Sequence, residues 1–139
     1  MTNHVQLTEH LHEIYSQNPF VTLLQMEIIE LAEGYVKLSM PVVHGKHTNL
    51  YNMAHGGALA SLADTAMGMA CATTGKKVVT LDMNLNYIRG AECQEAITAV
   101  ATLNHNGSRT MVAEVDIVDG MNNLLVKARA TFFVTGTFL

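Results

Sequence analysis

Asp64 is the one side chain between Ala58 and Ala72 that carries charge at neutral pH, in a run otherwise made of Ala, Leu, Met, Gly, Ser, Thr and Cys. Burying an unpaired carboxylate costs several kcal/mol unless something satisfies or uses it. Nine residues upstream stands His55, followed by Gly56 and Gly57 at the start of a helix, and Asn49 lies six residues before that. A helix start offers unsatisfied N–H groups and a favourable dipole, which stabilise negative charge developing on an attacked carbonyl oxygen. The glycines let a substrate come close to those donors, Asp64 can attack the carbonyl or deprotonate a water, and the Asn49 amide can hold that water. The pattern is that of a catalytic site.

Nine residues along a helix span about 13.5 Å and two and a half turns, so His55 and Asp64 fall on opposite faces and cannot serve one site. If both ends act, Asp64 must complete the site of a second copy, and a two-fold dimer then gives two equivalent composite sites. Blander readings stand beside this one. Asp64 can be a carboxylate bonded to backbone or hydroxyls, and His55 a helix-start histidine bonded to nearby backbone. His44-x-x-His47 lacks a third ligand at useful spacing, so no metal is expected, and His10 and His12, two apart, do not share a helix face.

Composition narrows the classes further. With 139 residues and 49% hydrophobic content, one domain over residues 1–139 is expected to bury a sizeable core. A net charge of -4, with eight Lys plus Arg spread along the chain, gives no basic stripe for nucleic acid. The first twenty residues hold no basic segment followed by an apolar run, so no secretory signal is read and a cytoplasmic location is expected. Met53 to Ala72 has membrane-like length but is rich in Ala and Gly and contains Asp64, which favours a buried helix over a membrane span. Cys71 and Cys93 form no CxxC and read as small apolar fillers.

The elements that must position these residues follow from hydrophobic spacing. Leu7, Leu11, Ile14 and Tyr15 predict a short surface helix ending before Asn18-Pro19. Leu23–Leu31 and Tyr35–Val42 predict a hairpin, with Val36, Leu38 and Met40 on one face. After the long helix, residues 77–88 alternate, with Val79, Leu81, Met83, Leu85 and Tyr87 on one face and Thr80, Asp82, Asn84 and Asn86 on the other. Ile97 to Leu103, Met111 to Ile117 and Leu124 to Phe132 repeat the alternation, with turns at Asn106-Gly107 and Asp119-Gly120. Two strands, one apolar helix and four strands describe an α+β chain with one helix packed on an antiparallel sheet.

This order of elements, with Asn49, His55-Gly56-Gly57, Asp64 and the strand Thr80-Leu81-Asp82-Met83-Asn84-Leu85-Asn86-Tyr87, resembles the hotdog-fold acyl-CoA thioesterases, in particular the phenylacetyl-CoA (PaaI-like) group. The resemblance implies a curved antiparallel sheet wrapped around one long central helix, with a short N-terminal helix. It implies hydrolysis of an aryl- or fatty-acyl-CoA to free acid and coenzyme A, with coenzyme A entering as part of the substrate and no cofactor. It assigns Asp64 as nucleophile or general base, Gly56 as the backbone donor polarising the thioester carbonyl, and Asn49, His55 and Thr80 as further catalytic positions. It also implies a homodimer, often paired into a tetramer, with sites between subunits, and no nucleic-acid or membrane partner. One position departs from the pattern: a family glycine between Asn49 and His55 is Asn52, the non-glycine residue type most tolerant of left-handed φ.

Coenzyme A phosphates favour basic residues at the cleft mouth, where Arg89 and Arg109 are the candidates, with Lys76 and Lys77 behind them. Gly57 is read as substrate-binding, and Met53, Leu59, Met67 and Met69 as candidates for the acyl pocket, although methionines at helical spacing also suit a plain core. The alternative function is a non-catalytic acyl-CoA sensor or scaffold of the same fold, which would have no use for Asp64.

Overall fold

The computed structural model describes residues 4–138. Helix α1 (His4–Ser16) and a short α2 (Pro19–Leu23) precede strands β1 (Glu27–Ala32) and β2 (Tyr35–Pro41). Helix α3 (Gly56–Ala72) follows, then β3 (Lys76–Tyr87), β4 (Ala96–Asn106), β5 (Thr110–Val118) and β6 (Leu124–Thr137). The six strands form one sheet in the order β1-β2-β4-β5-β6-β3, and each neighbouring pair is antiparallel. The sheet wraps α3, as the apolar run predicted. None of the described helices is long and apolar enough to cross a membrane.

Small residues on both partners bring sheet and helix close. The inner face of β4, β5 and β6 presents Ala99, Ala101, Ala113, Ala128 and Ala130, all buried, against Leu62, Ala63, Ala66, Met67 and Ala70 of α3, which are fully buried. Each large apolar side chain so buried contributes about 1.5–3 kcal/mol. The expected alternation of β2 holds, with Val36, Leu38 and Met40 buried.

Two expectations are corrected. Asn18-Pro19 ends α1 as expected but also starts α2: the Asn18 side chain accepts from the Phe20 and Val21 N–H groups at 3.0 and 3.2 Å, and Pro19 occupies the first turn. This turn takes up Leu23, so β1 begins at Glu27 rather than at Leu23.

The second correction concerns β3. Thr80 pairs with Phe132 of β6 and Asp82 with Thr131, which leaves Leu81 as an extra residue in a bulge. The extra residue reverses the alternation at that point. Val78 and Thr80 therefore share the inner face with Met83 and Leu85, while Val79 and Leu81, expected inside, are exposed. Strand β3 pairs only with β6 and forms one edge of the sheet.

Candidate active site

The start of α3 is built by side chains that close on backbone. His55 is the N-cap: its Nδ1 accepts from the Gly57 N–H at 2.9 Å, and its own N–H donates to the His47 carbonyl at 2.7 Å. His55 thus takes the helix-start role weighed from the sequence, and the Gly57 donor is engaged by it. A Cβ on Gly57 would stand 3.2 Å from that imidazole, which accounts for the second glycine. The Gly56 N–H makes no hydrogen bond among the described residues. Its neighbour is Tyr87, whose hydroxyl donates to the Gly56 carbonyl at 3.0 Å and whose ring leaves 3.4 Å for a Cβ there. Tyr87 is a neighbour of Gly56 that strand alternation alone did not reveal.

The preceding loop is held by Asn49, whose Oδ1 accepts from the Tyr51 and Met53 N–H groups at 2.9 and 3.0 Å. Asn52 adopts φ +62°, so it keeps the left-handed turn expected of a glycine, and its Oδ1 lies 2.6 Å from Nδ1 of His44. His47 is fully buried with both ring nitrogens on backbone, Nδ1 accepting from Val43 N–H at 3.0 Å and Nε2 lying 2.7 Å from the Leu24 carbonyl. His44 and His47 are therefore both engaged in holding the loop.

Asp64 lies two turns further along α3, partly buried, and Thr80 Oγ1 donates to its Oδ1 at 2.7 Å. The bulge at Leu81 is what turns Thr80 inward to make this bond. Beside the pair is a cavity of about 260 Å³, walled by Asp64 and Gly68 of α3, Thr80 of β3 and aromatic side chains from α1, α2, β6 and the C-terminal segment. At its far end burial pushes the Tyr15 phenol up to about 12, with a smaller contribution from nearby Cys71, whose own thiol burial pushes up to about 12.

A second cavity of about 280 Å³ lies at the helix start and is lined by Gly56, Leu59, Tyr87, Arg89 and Gly90. Arg89 thus lines the same cavity as Gly56. Met53 covers Gly90, where a Cβ would come within 2.6 Å of its methyl carbon. Arg109 sits at the other end of the sheet: its carbonyl accepts from Val134, and the next residue, Thr110, pairs with Phe133, which pairs with Val79. Val79 is eight residues from Tyr87, about 26 Å of strand. Met67 and Met69 are fully buried in the core, whereas Leu59, also buried, lines the second cavity and Met53 is partly exposed. Gly56 and Asp64 are eight residues apart on one helix, about 12 Å along its axis, and line two different cavities.

Comparison with known proteins gives this geometry a family. Residues 51–126 match the model of the thioesterase superfamily. The acyl-coenzyme A thioesterase PaaI of Escherichia coli K12 is 31% identical over 80% of this chain and 79% of its own length. The structure of the E. coli PaaI protein from the phenylacetic acid degradation operon superposes with TM-score 0.91 at 27% identity, covering 99% of this chain and 100% of that one. A hypothetical thioesterase protein of Streptococcus pneumoniae TIGR4, solved with coenzyme A, superposes with TM-score 0.79 at 32% identity over 82% of this chain and 91% of its own. That protein has also been solved as an aspartate-to-alanine and a threonine-to-alanine variant, at positions sixteen residues apart, the separation of Asp64 and Thr80 here. The chain belongs to the thioesterase superfamily, as a PaaI-like thioesterase of the hotdog fold.

Proposed function

We propose that the protein hydrolyses an aryl- or fatty-acyl-CoA, with Asp64 of one subunit acting on a thioester whose carbonyl is polarised by the Gly56 N–H of a second. The observation that carries this reading is the division of the site: the free Gly56 donor and Asp64, which Thr80 of β3 holds, stand about 12 Å apart along one helix. Attack on the carbonyl, by Asp64 itself or by a water it deprotonates, forms a tetrahedral oxyanion that the Gly56 N–H and the helix dipole stabilise. Breaking the carbon–sulfur bond releases coenzyme A as the thiol and leaves the acid, directly or after water cleaves an anhydride to Asp64. Thr80 fixes the carboxylate by its bond to Oδ1, and Asn49 shapes the loop that leads to the donor.

Arg89, beside Gly56, pairs with coenzyme A phosphate, and Arg109 adds positive charge at the other end of the sheet. The edge position of β3, with Val79, Leu81, Tyr87 and Ile88 exposed along it, supports pairing with a second copy about a two-fold axis. Two such dimers can associate further, as the resemblance implied.

Complementation tests the whole reading. Asp64→Asn and Gly56→Val homodimers are expected to be inactive in thiol release from acyl-CoA. Co-expressed in equal amounts, they form mixed dimers with one intact composite site, and activity returns to about a quarter of wild type. No recovery in verified mixed dimers would overturn the shared site.

A further inference from the structure

Glycine leaves the backbone more conformational freedom than any other residue, so the pair that starts α3, Gly56-Gly57, does not by itself hold a peptide plane. The peptide between them is nevertheless bonded at both ends. Its carbonyl, on Gly56, accepts from the Tyr87 hydroxyl at 3.0 Å, and its N–H, on Gly57, donates to His55 Nδ1 at 2.9 Å. Hydrogen bonds that share a peptide in this way polarise one another. Tyr87 is the last residue of β3 and its backbone is held: it pairs with Val126, and the next two N–H groups, of Ile88 and Arg89, donate to the Leu125 carbonyl at 2.8 and 3.2 Å. Met83 and Leu85 pack against the core, and Tyr87, two residues on, keeps that side of β3 and brings its ring to the helix start, 3.4 Å from where a Cβ on Gly56 would stand. Strand β3 thus grips α3 twice, at Asp64 through Thr80 and at Gly56 through Tyr87.

We propose that Tyr87 is a positioning residue: its hydroxyl holds the Gly56–Gly57 peptide in place and so aims the adjoining Gly56 N–H at the oxyanion. This rests on the reading of Gly56 as the donor to the thioester carbonyl. A donor stabilises an oxyanion only when it stands about 2.7–3.1 Å from the place where the charge develops, so a peptide free to turn loses that aim in the transition state while substrate still binds. Tyr87 is 56% exposed, so water competes for its hydroxyl and the bond adds little to folding stability. Its effect on the donor and its effect on the fold can therefore be told apart.

The test compares wild type with Tyr87→Phe, which keeps the ring and loses the hydroxyl, in thiol release from acyl-CoA, in binding of a non-hydrolysable S-alkyl-CoA thioether and in urea unfolding. Loss of aim is expected to lower kcat about tenfold, while KM and thioether affinity stay within about twofold and the urea midpoint does not move. In protein labelled with 15N-glycine, the order parameter of the Gly56 amide falls while that of Gly68, in mid-helix, is unchanged. An unchanged kcat overturns the inference, and so does a loss confined to KM and thioether affinity, which would make Tyr87 a substrate contact. Gly56→Pro keeps the two proposals apart, because proline has no N–H and is favoured at the first helical position, which Gly56 occupies. If Gly56→Pro retains the wild-type kcat, the donor reading fails and the role of Tyr87 with it. If Gly56→Pro loses kcat while Tyr87→Phe does not, Gly56 stands as the donor and the role of Tyr87 alone falls. Where both lose kcat, the double variant is expected to match Gly56→Pro, since the hydroxyl acts only through the N–H that proline removes, and a further tenfold loss overturns the inference.

Discussion

Thr80 Oγ1 donates to Asp64 Oδ1 at 2.7 Å, a bond that joins the edge strand to the middle of the central helix. A hydrogen bond to a charged group contributes about 1.5–3 kcal/mol. Thr80→Ala is therefore expected to lower kcat about 10- to 100-fold, whereas Thr80→Ser, which keeps the hydroxyl, stays within about threefold. Steady-state thiol release from acyl-CoA measures both, and an unimpaired Thr80→Ala would leave the bond without a catalytic role.

His55 caps α3 through the Gly57 N–H. Removing an N-cap side chain costs about 1 kcal/mol, so His55→Ala is expected to lower the unfolding free energy by that amount and His55→Asn to restore it. Chemical denaturation gives the stability and kcat the chemistry. Full stability in His55→Asn with kcat still depressed at least tenfold would show that the imidazole does more than cap the helix.

Arg89 lines the cavity that contains Gly56. A contact to coenzyme A phosphate made equally in ground and transition states raises KM when lost and leaves kcat unchanged. Arg89→Ala is expected to raise KM for acyl-CoA about tenfold, with a smaller penalty at high salt because screening already weakens the pair. A fall in kcat at constant KM would place Arg89 at the reacting atoms instead.

Cys71 and Tyr15 give the protein an alkaline limit. Burial raises the thiol from 9.0 and the phenol from 10.0, each to about 12. Below pH 9 both groups keep their protons in folded and unfolded chains alike. As the pH climbs from about 9 for the thiol and about 10 for the phenol toward 12, the unfolded chain releases its protons first, so stability is full on the neutral side and falls by up to about 1.4 kcal/mol per pH unit for each group in its own window. Urea unfolding at several alkaline pH values should show this decline, and Cys71→Ala should make it shallower. An equal decline in both proteins would remove Cys71 from the account.

The central helix was legible because its signals are local. One carboxylate in an apolar run and two glycines at a helix start need no knowledge of neighbours. The inward side of Thr80 was not legible from alternation, because reversal at Leu81 arises in the pairing of β3 with β6 and leaves no mark in β3 itself. The family resemblance supplied Thr80 where periodicity placed it on the wrong face. Tyr87 at Gly56 and the aromatic walls around Gly68 were missed for a related reason: each joins residues far apart in sequence. Helix α2 had a signal, Asn18 followed by Pro19, that serves equally as a stop and a start.

The distance from His55 to Asp64 also makes α3 a phased ruler. One inserted or deleted residue between them would turn everything downstream by about 100° relative to the helix start and swing Asp64 away from Thr80, while most single substitutions would leave the phase untouched. Natural variation in this segment should therefore exchange residues freely at exposed positions but carry no change of length, with insertions and deletions confined to the turns between strands.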